Sequence, residues 1–220
     1  MTVLQDPLTI SGMMSANKIF EFPVKQFLQQ LIMDSTQHAR FLNMLAMLEH
    51  MGSRKTTAIQ AVKPQRMSED ILKHLAGEVQ HASFFKRQPQ RAAGYDMEGW
   101  RDDNTMARVP ALMYFGRLDA GISNVVGPSS AYNWVSLIIE LRACWLYRIY
   151  QQTLAESDDH LSLKPLLAVE NHHLQKMYTA CGENIDQLKH LSTYESGLFR
   201  KLWDKIITSI ELPYEPAMQI

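Results

Sequence analysis

The sequence predicts an all-α fold: an antiparallel four-helix bundle made of two helical hairpins, with a long crossover between helices two and three and an additional C-terminal helix. Three observations lead there. Apolar residues recur every three or four positions through most of the chain, the spacing of one helix face. Prolines and glycines punctuate those runs, at Pro23, Pro64, Pro89, Gly127-Pro128 and Pro165, where helices start or stop. An acidic pattern also occurs twice, a lone Glu followed by a Glu-x-x-His: Glu49 then Glu78-Val79-Gln80-His81, and Glu140 then Glu170-Asn171-His172-His173, at separations of 29 and 30 residues.

The elements follow in order. Residues 1–22 show no sustained period and read as a tail. Pro23 suits a first helical turn, where its missing N–H costs little. From it Phe27, Leu31, His38, Leu42, Leu45 and Glu49 fall on one stripe. Gly52 does not end this helix, because Thr57 to Val62 continue a compatible pattern as far as Pro64. Ser68 is the expected N-cap of the second helix, with Glu69 and Asp70 in its first turn. Its stripe is Ile71, Leu75, Glu78, Ala82 and Phe85, and Pro89 marks its end. The crossover spans 89–127, polar at first, with a short helix from Pro110 through Leu118. Helix three starts near Pro128 and aligns Asn133, Leu137, Glu140, Cys144 and Tyr147; the turn is Glu156-Ser157-Asp158-Asp159. Helix four starts near Ser162 and aligns Leu163, Leu166, Glu170, His173 and Met177. Ser192-Thr193-Tyr194-Glu195 has the form of a capping box and opens a fifth helix over 192–210. The expected organisation is one domain over 1–220: tail 1–22, bundle 23–182, fifth helix, and a tail over 211–220 holding Pro213 and Pro216.

Bulk properties narrow the function classes. The 220 residues are 46% hydrophobic, enough for one substantial core. A net charge of −1 gives no general argument for a nucleic-acid or membrane surface as partner. Cys144 and Cys181 make neither a disulfide framework nor a Cys-x-x-Cys pair and fit a reducing compartment. The N-terminus lacks a signal-peptide pattern, and polar residues interrupt every apolar run before the roughly 20 residues a bilayer requires. A cytoplasmic protein is expected.

Residues equidistant from a hairpin turn face each other. Glu49 and Glu78 have their midpoint at 63.5, on the Lys63-Pro64 turn; Glu140 and Glu170 have theirs at 155, beside the second turn. A Glu and a His three positions apart point to one side of a helix. Two such hairpins packed together bring four Glu and two His into one layer. All four carboxylates sit on apolar stripes, and no Lys or Arg stands one turn from any of them. Burying a carboxylate alone costs several kcal/mol or forces it to take up a proton. Two metal ions would supply the positive charge, and oxygen ligands with one imidazole each suit iron or manganese. The competing reading, a helical binding or structural protein without metal, must leave those carboxylates uncompensated. His173 is preferred over His172 by its spacing. His50 points about 100° away from Glu49 and reads as structural or exposed. His38 and His74 read as core histidines, with a supporting or ligating role as the alternative. Cys144, Trp134, Trp145, Tyr147 and Tyr178 read as packing, and the basic run Lys86-Arg87 to Arg91 as a solvated helix end.

This constellation, Glu49, Glu78-x-x-His81, Glu140, Glu170-x-x-His173, resembles the ferritin-like di-iron carboxylate superfamily over roughly residues 24–182. The resemblance implies that Glu49 and His81 bind one metal, Glu140 and His173 the other, and that Glu78 and Glu170 bridge them. It implies two iron ions, with manganese or a mixed pair using the same ligands, and O₂ as a reactant. Within it, an oxidase or oxygenase acting on a small organic substrate is the leading expectation, and a ferroxidase or iron-storage protein the alternative. A rubrerythrin-type peroxidase is disfavoured by the missing cysteine pairs. The crossover, of about forty residues, exceeds that of a storage protein. The apolar face of the fifth helix (Leu198, Phe199, Leu202, Trp203, Ile206) suits a substrate pocket or a homodimer contact. No Gly-x-Gly-x-x-Gly fingerprint appears, so electrons are expected from a separate donor. An RNA-hydroxylating branch of the superfamily gains little support from the near-zero charge and the lack of a clear basic stripe.

Overall fold

A computed structural model describes residues 9–62, 69–94, 97–157 and 159–211. The described residues form seven α-helices and no strand, which makes the fold all-α. They are α1 (Thr9–Met33), α2 (Ser35–Val62), α3 (Glu69–Ala93), α4 (Arg108–Val126), α5 (Pro128–Ala155), α6 (Lys164–Ala180) and α7 (Ile185–Glu211). The expected cap Ser68, the Lys63-Pro64 turn, Asp158 and the C-terminal prolines Pro213 and Pro216 lie outside the described residues. No helix among those described is long and apolar enough to cross a membrane.

The chain divides into two compact units, Met1–Ile32 with Tyr114–Lys201, and Met33–Met113 with Leu202–Ile220. Each contains one of the two hairpins. In the second unit α2 packs on α3, and in the first α5 packs on α6.

Five boundaries differ from expectation. The stretch before Pro23 is helical from Thr9, and Pro23 lies inside α1. Pro23, Ile19 and Phe22 are exposed, while Val24, Phe27, Leu28 and Leu31 are buried, so the proline occupies the solvent side of the helix. The chain breaks instead at Asp34, whose carboxylate accepts the N–H groups of Thr36 and Gln37, both at 3.0 Å. Asp34 is thus the N-cap of α2, and the long first helix expected from 23 to 64 is two helices. α2 does run through Gly52 without interruption.

The third helix continues past Pro89 to Ala93 and stops at Gly94, which has φ 75°, a conformation glycine adopts without steric cost. Within the crossover, α4 is longer than the short helix expected. The loop before it is tied to the α2–α3 hairpin by Asn43, which is fully buried. Its Nδ2 donates to the Asn104 carbonyl at 3.0 Å and to Thr105 Oγ1 at 3.0 Å, and its Oδ1 accepts from Lys86 Nζ at 2.7 Å. Lys86 also donates to the carbonyls of Met97 and Gly99. The expected solvated helix end is therefore wrong at Lys86, which anchors the crossover.

The last helix begins at Ile185, seven residues before the expected start. Asn184 caps it, accepting the Gln187 N–H at 3.0 Å. Ser192 and Glu195 are buried inside the helix rather than capping it. Glu195 forms a bidentate ion pair with Arg142 of α5, at 2.8 Å from Nε and 2.6 Å from Nη2. Tyr114 donates to the same carboxylate at 2.7 Å, and Phe199 lies under the guanidinium at 4.0 Å. Burial first, then the Glu195 charge, push the Tyr114 phenol well above its ordinary range, with Arg142 acting in the opposite sense.

Candidate metal-binding hairpins

The α2–α3 hairpin holds three of the six expected ligands. Glu49 lies three turns into a buried face that includes Leu42, Leu45 and Ala46, and its side chain keeps 11% of its exposure. Glu78 and His81 on α3 keep 7% and 8%. Glu49 Oε2 stands 3.7 Å from His81 Nδ1. Glu78 Oε1 stands 3.4 Å from Nε2 of His74, one turn earlier on the same helix. Both separations are ones that two metal bonds of about 2.1 Å each can span. The donor set, carboxylate oxygens with imidazole nitrogens, is the one iron and manganese accept. The sequence favours a core role for His74 with a supporting or ligating role as the alternative; the contact with Glu78 fits the alternative, and the spacing of four is the signal for it.

The hairpin register differs from the expected one. Glu49 faces His81, and Gly52 faces Glu78: a Cβ at Gly52 would lie 2.6 Å from Glu78 Oε2. Both pairs have their midpoint at residue 65, one turn of pairing away from the expected alignment of Glu49 with Glu78 about 63.5.

In the α5–α6 hairpin Glu140 is buried, 6% exposed, with Leu137, Leu141 and Cys144 buried around it on α5. Glu170 and His173 occupy α6, but their side chains, with that of His172, lie outside those described. The register can be read from neighbouring pairs. Asn133 Nδ2 donates to the Ala180 carbonyl at 3.4 Å, and the Leu163 N–H donates to Gln151 Oε1 at 2.6 Å. Their midpoints, 156.5 and 157, set residues 173–174 level with Glu140. This hairpin is displaced from the expected midpoint of 155 in the same sense as the first.

The surroundings of the remaining candidates are these. His50 is half-buried and stacks on Trp100 with ring centroids 4.8 Å apart; burial, then the Arg54 charge, lower its pKa. His38 is buried in α2. Trp145 meets Phe199 edge-to-face at 5.7 Å, and Trp134, Tyr147 and Cys144 are buried on α5, as packing requires. Tyr178 donates to the Glu183 carbonyl at 3.0 Å at the end of α6. Cys181 is a free thiol held by burial at a pKa of about 12.

Comparison with protein-family models, curated proteins and solved structures finds no match to this chain.

Proposed function

We propose that the protein is a non-haem dinuclear-metal oxidoreductase of ferritin-like type, an oxidase or oxygenase that uses O₂ to oxidise an organic substrate. In this reading the two hairpins pair as an antiparallel four-helix bundle. Glu49 and His81 would hold one iron and Glu140 and His173 the other, with Glu78 and Glu170 as shared ligands. Manganese or a mixed pair is accommodated by the same donors. The observation that carries the reading is the α2–α3 hairpin, where two nearly buried carboxylates each meet an imidazole at a distance a cation can bridge. The matching register of the α5–α6 hairpin supports it.

When bound, the metal pair supplies the redox chemistry with O₂. The chain's own residues do the rest. Glu49, Glu78 and Glu140 place negative charge where water is largely excluded, which strengthens their hold on a cation. His81, whose Nδ1 faces Glu49, must be neutral to ligate, so metal uptake releases any proton it carries. Electrons come from a separate donor.

The test is anaerobic loading of the metal-free protein with Fe(II), followed by O₂ in the presence of a reductant and a panel of small organic substrates. Two irons per chain and substrate turnover are expected. Accumulation of hundreds of irons per assembly would replace the reading with iron storage. A wild-type protein that takes up neither iron nor manganese would leave a helical protein without a metal role.

A further inference from the structure

Gly52 is a glycine in a place where the backbone does not require one. It lies in the interior of α2, and it is not among the residues with positive φ. Glycine in a helix interior is destabilising by roughly 0.5–1 kcal/mol relative to alanine. Close helix packing often explains such a residue, through a facing backbone that leaves no room for a Cβ. Here the three atoms nearest to a Cβ at Gly52 all belong to one side chain: Glu78 Oε2 at 2.6 Å, Cδ at 3.3 Å and Oε1 at 3.8 Å. What occupies the space is a carboxylate, and it is one of the candidate ligands.

The two oxygens of Glu78 are held differently. Oε1 faces His74 Nε2 at 3.4 Å, and Oε2 lies over the bare Gly52 backbone. One turn earlier on α2, Glu49 faces His81. A single turn of α2 therefore presents a carboxylate and a vacancy, and a single turn of α3 presents a carboxylate that enters the vacancy and an imidazole that meets the carboxylate. We infer that Gly52 is a positioning residue for the metal centre: its missing side chain seats the Glu78 carboxylate against α2, one turn from Glu49, in the orientation from which it ligates. The inference rests on the dinuclear-metal reading and identifies a residue outside the ligand set on which that reading depends.

A purely structural glycine and a ligand-seating glycine respond differently to alanine. Helix propensity favours Gly52→Ala, and without metal the end of the Glu78 side chain can swing aside. The metal-free variant is thus expected to unfold at the same or a higher urea concentration than wild type. Binding of Co(II), followed by calorimetry and by its visible absorption bands, is expected to weaken at least tenfold and to show altered bands. In a Glu78→Ala background the same substitution should leave the residual Co(II) affinity unchanged, because the group it displaces is gone. Wild-type Co(II) affinity in Gly52→Ala would overturn the inference. So would a loss that persists in the Glu78→Ala background, or a metal-free variant that unfolds early. A wild-type protein that binds no Co(II) would remove the metal reading itself, a result distinct from all of these.

Discussion

Removing the charge of Glu195 should be among the most damaging single changes in the molecule. Glu195 is fully buried and Arg142 is 4% exposed. The carboxylate accepts two bonds from the guanidinium, at 2.8 and 2.6 Å, and a third from Tyr114 at 2.7 Å. Glu195→Gln keeps the shape but replaces one acceptor with an NH₂ group, which then faces a donor. It also strands a buried guanidinium without its counter-ion. Breaking a buried pair from one side costs about 3–5 kcal/mol. At roughly 2–4 °C per kcal/mol for a chain of this size, the thermal midpoint should drop by about 6–20 °C. Replacing both partners with apolar residues, Arg142→Met with Glu195→Leu, should recover most of the loss, since neither desolvated charge remains. Differential scanning calorimetry of the three proteins provides the measurement. A Glu195→Gln variant within about 1 kcal/mol of wild type would refute the reasoning, as would a double variant no better than the single one.

Alkaline pH should destabilise the protein through its buried tyrosines. Burial pushes the Tyr114 and Tyr150 phenols well above their ordinary range, so the native state keeps protons that the unfolded chain loses near pH 10. Their stabilising contribution is complete below that pH and is lost above it at about 1.4 kcal/mol per pH unit for each group. Urea midpoints between pH 9.5 and 11, taken in a Cys181→Ser background to remove the raised thiol, should show the fall, and Tyr150→Phe should halve its slope. Asn43→Ala should cost about 1–3 kcal/mol by leaving buried partners unsatisfied. It should also release the crossover, seen as faster hydrogen exchange at the amide of Met106, which donates to the Arg40 carbonyl at 3.1 Å.

The helices were legible where period and punctuation agreed, as at Gly127-Pro128, where α5 starts with Pro128 in its first turn. They were misread where one local signal was set against another. Pro23 and Pro89 looked like boundaries, but a proline inside a helix costs a few kcal/mol; at Pro23, which is exposed, the packing of Val24, Phe27 and Leu28 on the opposite side can offset it, and at Pro89 the ring is itself buried. Asp34-Ser35-Thr36 held the true cap inside a continuous apolar stripe. Ser192 and Glu195 have capping-box spacing, yet Glu195 was claimed by Arg142, a buried cation in a largely apolar helix that had to find a partner. The burial of Glu78 and Glu140, and the near-burial of Glu49, were readable from their stripes. Hairpin register was not, because a midpoint rule assumes symmetric loops, and Gly52, His74 and Asn43 acquire their roles only from what lies across the hairpin.

The shared register shift makes the two halves of the sequence repeat comparable position by position, and they differ beside the Glu of the Glu-x-x-His: His74 precedes Glu78 by four where Leu166 precedes Glu170, and the facing residue differs as well. In each hairpin the residue three after the lone Glu is level with the Glu of the Glu-x-x-His. In the first hairpin it is Gly52, which faces Glu78. In the second, the pairs Asn133–Ala180 and Gln151–Leu163 set Glu170 level with Ala143 or Cys144, and both have a Cβ. The vacancy that receives Glu78 has no equivalent at this position in α5. If the two hairpins build one centre, its halves are unequal, and metal should enter in two steps of different affinity rather than as a cooperative pair. Ala143→Gly supplies the missing space at a cost of about 1 kcal/mol in helix propensity. Titration of the metal-free protein with Co(II) should resolve two constants in wild type and bring them closer together in Ala143→Gly. A single constant in wild type, or an unchanged ratio in the variant, would show that the space beside the carboxylate does not govern how tightly each half holds its metal.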